Sequence, residues 1–170
     1  LPQEQLDKGV ICASAGNHAQ GVAFACNKLQ VKGVIYMPIT TPRQKVEQTN
    51  MFGGDWVEVV LKGDTFDDSF KSSMKHADKF GLVFIHPFDD EKVIEGQATI
   101  GLEILEQAKE PIDYVFAPLG GGGLLAGLSS MFKELSPNTK IIGVEPEGAP
   151  SMTSSLKEGK LVELKSIERF

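Results

Sequence analysis

The apolar residues switch between short unbroken runs and positions at helical spacing, and the switches fall at turns of small residues. Gly9-Val10-Ile11-Cys12-Ala13 is unbroken. After Ser14-Ala15-Gly16-Asn17-His18, the residues Ala19, Val22, Ala23, Cys26 and Leu29 recur on one helix face. A strand, a turn and a helix are therefore predicted. Val34 to Met37 predicts a second strand. Thr41-Pro42-Arg43-Gln44 predicts a capping box with proline at the first helical position, in a helix that stops at Gly53-Gly54. Trp56 to Val60 predicts a third strand. Phe66, Phe70, Met74, Ala77 and Phe80 predict one buried helix face, capped by Asp64 or Thr65, ahead of a fourth strand over Leu82 to Ile85. The rhythm is β-α-β-α-β-α-β, which implies a parallel sheet.

His86-Pro87-Phe88-Asp89-Asp90 breaks that rhythm and reads as a boundary between a lobe over 1–86 and a second over 87–170. Ile94, Ala98, Gly101, Leu105 and Ala108 predict a long helix. Tyr114 to Ala117 predicts a strand, Leu124 to Leu135 a helix, Lys140 to Val144 a strand and Ser151 to Leu156 a short helix. The tail to Phe170 carries no readable pattern. The fold class is α/β, with two open parallel-sheet lobes, the second Rossmann-like.

Composition narrows the function classes. In 170 residues, 41% apolar and 24% charged content is that of a globular protein. A net charge of −6 without any Lys/Arg run argues against nucleic acid as partner. No apolar run is long enough to span a membrane. Cys12 and Cys26 do not make a disulfide framework, which points to a reducing, cytoplasmic setting. With His18, His76 and His86 they show no zinc-ligand spacing, and no metal site is predicted. Asp67-Asp68 and Asp89-Asp90 read as a solvated face and a cap.

Two turns carry candidate chemistry. Gly120-Gly121-Gly122-Gly123-Leu124 joins a strand to a helix, where free N–H groups and the helix dipole favour an anion and glycine removes any Cβ from its path. Gly121 to Ala126 also fits G-x-G-x-x-G/A, with Glu145 at the end of the next strand, so a dinucleotide is an open alternative. A turn that merely lets the helix pack against the sheet is the bland one. The second turn, Ser14-Ala15-Gly16-Asn17-His18, also ends a strand. Its hydroxyl, backbone N–H groups and Asn17 amide suit a carboxylate or a ring hydroxyl. The competing reading makes Asn17 a helix cap and His18 a solvated first-turn residue.

Ser14 to Ala23, followed about a hundred residues later by Gly120 to Leu124, resembles the fold type II pyridoxal-phosphate enzymes. Pro42-Arg43-Gln44-Lys45-Val46, His86-Pro87-Phe88-Asp89-Asp90 and Gly96-Gln97 are similar to segments of the threonine dehydratases (threonine ammonia-lyases) within that family. The resemblance runs from about Gly9 to Glu145. It implies pyridoxal 5'-phosphate as cofactor. Gly120, Gly121, Gly122, Gly123 and Leu124 would hold its phosphate, and Asn17 the oxygen on its ring. Ser14, Ala15, Gly16 and His18 would hold the carboxylate of a small amino-acid substrate, L-threonine or L-serine. The products would be 2-oxobutanoate and ammonia, in isoleucine biosynthesis.

The family's Schiff-base lysine lies upstream of the asparagine loop, so this chain is expected to be an internal piece with no catalytic residue of its own, inactive alone. Lys71, within Ser69-Phe70-Lys71-Ser72-Ser73, follows the loop and reads as a surface lysine. The full-length enzyme would be a homo-oligomer. Related serine racemases carry serine where this loop has Ala15. Alanine transfers no proton, which leans the reading toward elimination over racemisation. Some relatives bind a cation near the segment matching Glu145 to Ser151, but with an acidic ligand where this chain has Ser151. A dinucleotide-binding Rossmann module and a non-catalytic domain that keeps this fold are the alternatives.

Overall fold

The computed structural model describes residues 1–164, so the tail beyond them lies outside the described residues. The chain divides after Pro87 into two compact units. The first contains α1 (Gln3–Leu6), β1 (Val10–Ala13), α2 (Asn17–Leu29), β2 (Gly33–Met37), α3 (Arg43–Gly53), β3 (Val57–Leu61), α4 (Phe66–Phe80) and β4 (Val83–Phe84). The short α1 is not visible in the apolar pattern. The strands form one parallel sheet in the order β3-β2-β1-β4.

The unbroken apolar run of β1 has a direct cause. Val10 and Cys12 join Ala19, Val22, Ala23 and Cys26 of α2 in one buried cluster, while Ile11 and Ala13 join Tyr36 and Ala77 in another. A strand covered on both faces cannot alternate apolar with polar. All four β1 residues are buried.

Three predicted details differ. Leu29 is 60% exposed, because the helix ends there and Gln30 turns left-handed at φ 55°. The Thr41/Gln44 capping box does not form. Pro42 itself caps α3, which shifts Thr41 one residue too early and leaves its buried hydroxyl without a partner. On α4 the buried stripe is Ser69, Ser73 and Ala77, whereas Phe66 and Phe80 are exposed. Small side chains let α4 lie close to the sheet. The serine hydroxyls donate to the carbonyls of Lys62 (2.6 Å) and Phe70 (2.7 Å), which satisfies them locally. Phe70 keeps an apolar role, with its ring edge-on to Phe84 at 5.3 Å. The Thr65 cap forms as a full box with Asp68.

The second unit contains α5 (Glu91–Gln107), β5 (Tyr114–Pro118), α6 (Gly123–Leu135), β6 (Lys140–Val144) and α7 (Ser151–Glu158). Asp90 caps α5, accepting from Lys92 N and Val93 N. β5 and β6 pair in parallel, Tyr114 opposite Lys140 through Pro118 opposite Val144. Ala117, Leu128 and Phe132 form the core, with Val115 and Ile141 packed on it. The backbones of α5 and α6 nearly touch at Gly127, where a Cβ would stand 2.6 Å from Ala98 N and 2.7 Å from Ile94 O. Among the described residues no helix is long and apolar enough to cross a membrane.

Candidate functional site

Strand order places the first candidate turn. The chain runs outward from β1 to β2 to β3, then returns to the other side of β1 as β4. β1 is thus the switch point of the sheet, and open α/β sheets bind ligands in the crevice beyond the carboxyl ends of such strands. Ser14 to His18 stand at that end.

Each residue there has a definite job. Ser14 N donates to the Tyr36 carbonyl (3.0 Å) and closes the strand, while its hydroxyl oxygen accepts from Gly16 N (3.2 Å) and shapes the turn. A hydroxyl that accepts this bond still has its own proton to donate. Gly16 is the N-cap of α2, and no side chain caps that helix end. Asn17 is therefore not a cap. Its amide is exposed on the first helical residue.

His18 is not a solvated first-turn residue either. It is half-buried, and its Nε2 donates to the Ile85 carbonyl (3.2 Å), just beyond β4. Desolvation lowers its pKa. The bond to Ile85 works the other way, and the His86 charge adds to the lowering. Neutral imidazole with the proton on Nε2 is the tautomer this bond selects. His18 so ties the first turn of α2 across the crevice to β4, a role no sequence spacing announces.

In the second unit the four glycines divide into two kinds. A Cβ on Gly121 would collide with the Phe88 ring at 2.2 Å, and one on Gly123 would meet Phe88 backbone at 2.9–3.0 Å. These two serve packing, as the bland reading requires. Gly120, by contrast, has nothing within 4 Å, and Gly122 meets only the Met152 methyl at 3.5 Å. Gly122 is the N-cap of α6 at φ 90°, a left-handed conformation glycine adopts without strain, and no side chain caps the helix. The first-turn N–H groups of a helix have no intrahelical acceptor. An open approach, an uncapped helix start and no side chain in the way fit a phosphate monoester.

Glu145 has no carboxylate oxygen to spare for a ribose. Oε1 accepts from Met152 N (2.8 Å) and, at 3.4 Å, from the Ser151 hydroxyl; Oε2 accepts from Thr153 N (2.8 Å) and the Thr153 hydroxyl (2.7 Å). Partial desolvation would raise its pKa, but these bonds outweigh that and lower it. The dinucleotide reading loses its acidic residue to the start of α7.

The remaining candidates are inert. Cys12 and Cys26 are buried free thiols, and burial pushes Cys26 up to about 11 and Cys12 further, so both stay protonated at neutral pH. Lys71 is exposed on α4.

The family described as "Pyridoxal-phosphate dependent enzyme" matches residues 1–170. The chain is 55% identical to the "L-threonine dehydratase biosynthetic IlvA" of Halalkalibacterium halodurans, covering 100% of this chain and 41% of that relative. Among solved structures it is similar to the processed form of threonine deaminase isoform 2 from Solanum lycopersicum, at 54% identity and a TM-score of 0.89, covering 99% of this chain and 45% of that one. Maize serine racemase gives 34% identity and a TM-score of 0.89, covering 99% and 50% respectively. The chain thus spans half or less of the length of each.

Proposed function

From the premise that the chain belongs to the pyridoxal-phosphate-dependent enzyme family, we propose that it is part of a threonine dehydratase. The reaction is conversion of L-threonine, and of L-serine, to a 2-oxo acid and ammonia, with threonine giving 2-oxobutanoate for isoleucine biosynthesis. Water lost in the elimination returns in the final hydrolysis, so ammonia is the net product beside the oxo acid. When bound, the cofactor supplies an electron sink for charge developing at the substrate Cα.

This chain's own residues bind and orient. The N–H groups of Gly120 to Leu124 hold the cofactor phosphate at the start of α6, where the helix dipole favours negative charge. The Asn17 amide hydrogen-bonds the ring oxygen. Ser14, Ala15 and Gly16 hold the substrate carboxylate through the hydroxyl proton and backbone donors. His18 keeps that loop in register by its bond to Ile85. Ala15 offers no proton to the substrate, which favours elimination over racemisation. The 1–86 and 87–170 segments act as the substrate-loop and cofactor lobes.

The observation that carries this reading is the α6 start, uncapped and open at Gly120 and Gly122. The full-length protein is further proposed to be a homo-oligomer and to be cytoplasmic, the latter in keeping with the two free thiols of this chain. The test is assay of the purified full-length protein with pyridoxal phosphate and L-threonine. Formation of 2-oxobutanoate, lost when Asn17→Ala is introduced, supports the proposal. A protein that binds the cofactor but releases no oxo acid from threonine or serine would refute it.

A further inference from the structure

Helix α7 begins without a cap of its own. Its N-cap residue is Pro150, which makes no side-chain hydrogen bond to the helix. Glu145, at the end of β6, supplies the missing acceptor from outside. One oxygen takes Met152 N and the other Thr153 N, both at 2.8 Å. A carboxylate accepting two backbone donors at a helix start combines charge-assisted hydrogen bonds with a favourable dipole interaction.

The residue fixed most directly by this clamp is Met152, and Met152 stands beside the phosphate turn. Its methyl lies 3.5 Å from the position a Cβ would take on Gly122. Met152 and Leu156 of α7 line one cavity of roughly 270 Å3 with Leu119, Gly122, Leu125 and Ala126. Hydrogen bonds therefore run from the Glu145 carboxylate to the first turn of α7, and the Met152 side chain carried by that turn faces, across the cavity, the left-handed glycine that starts α6.

We propose that Glu145 is a positioning residue for cofactor binding: it clamps the start of α7 so that Met152 braces Gly122 and holds the phosphate turn in shape. The inference rests on the reading of that turn as the phosphate seat. Gly122 alone has no side chain to fix its conformation, so the brace comes from α7. Glutamine at position 145 keeps one oxygen acceptor and replaces the other with a donor, which faces a backbone N–H and cannot bond it.

The experiment uses the full-length protein. Pyridoxal phosphate affinity is measured by absorbance titration, and the environment of the bound phosphate by phosphorus NMR, for the unaltered protein and for Glu145→Gln, Met152→Ala and Ser155→Ala. Ser155 bonds the Ser151 carbonyl and Val162 N further along α7, so its loss loosens the helix without touching the clamp. Glu145→Gln and Met152→Ala are expected to weaken cofactor binding by roughly tenfold, the scale of one charge-assisted bond partly transmitted, and to shift the phosphorus resonance. Ser155→Ala should leave both within twofold of the unaltered protein. Should Glu145→Gln fail to fold, Met152→Ala decides. Unchanged affinity and resonance in Met152→Ala, or an equal loss in Ser155→Ala, would overturn the proposal. An unaltered protein that binds no pyridoxal phosphate would instead overturn the reading of the turn.

Discussion

The sheets of the two units have the same strand chemistry but different covering. In the first unit β1 and β2 are apolar throughout and buried almost throughout, with α2 and α4 contributing to separate clusters on the two faces. In the second, β5 and β6 are apolar apart from Lys140, yet among their large side chains Val115 and Ile141, with Ala117, face the core. Tyr114, Phe116, Ile142 and Val144 lie on the other face and are 53%, 69%, 36% and 50% exposed. Parallel sheets are stable when both faces are covered. An apolar strand pattern therefore records how a strand is meant to be buried, whatever stands over it among the described residues. Among the described residues, the second sheet packs on the α5/α6 layer alone, while the first packs on both faces.

Core truncations give the largest test of that difference. Phe132 is 1% exposed and is the largest fully buried side chain. Phe132→Ala should cost about 3–5 kcal/mol and Ile35→Ala, its counterpart in the first unit, about 2–5 kcal/mol, so the contrast is read from where protection is lost. Native-state hydrogen exchange on the 170-residue chain alone should then show β5 and β6 amides opening first, while β1 and β2 stay protected. Equal loss of protection in both sheets would break the contrast. Next comes the α5/α6 contact itself. Gly127→Ala forces two helix backbones apart and should cost about 1–3 kcal/mol, again read as faster exchange confined to β5, α5 and α6.

Acid provides a milder probe of the first unit. His18 has a folded pKa below its unfolded value of about 6.5. Its contribution is complete above pH 6.5 and is lost as pH falls from there through the lowered value, because the unfolded chain binds the proton more readily. Exchange at β1 and β4 should accelerate over that window, and His18→Gln should flatten the dependence. An unchanged slope would remove the strap from the account. The smallest effect is of opposite sign. Gly21 lies inside α2 with open space where a Cβ would go, so Gly21→Ala should stabilise the first unit by about 0.5–1 kcal/mol in denaturant titration. A loss of stability there would show that the position serves something besides the helix.

Much of this was legible in the apolar pattern. Every strand and long helix falls where its period places it, because β1 and β2 are buried on two faces and α2 and α6 on one stripe. The pattern failed where a polar group substitutes for an apolar one. Ser69 and Ser73 bury themselves by bonding backbone carbonyls, so the phenylalanines that announce a core face end up flanking it. At the candidate site, position was readable and purpose only partly so. The glycine run points to an anion, but only the structure separates Gly121 and Gly123, packed on Phe88, from Gly120, which faces open space, and Gly122, which would meet only the Met152 methyl. Glu145 looked like a ribose ligand because spacing cannot tell an acid aimed at a ligand from one aimed at a helix six residues on. His18 bonds a carbonyl 67 residues away, a distance over which no local motif speaks.

The α6 glycine turn is proposed to seat the phosphate of pyridoxal phosphate, and Asn17 to meet the cofactor ring. A crystal structure of the full-length protein with pyridoxal phosphate tests it most directly. Phosphate oxygens are expected about 2.7–3.2 Å from N–H groups of Gly120 to Leu124, with the ring oxygen on the Asn17 amide and Glu145 still bonded to Met152 and Thr153. A phosphate seated elsewhere, or a Glu145 carboxylate turned away from α7 onto a ligand hydroxyl, would contradict it.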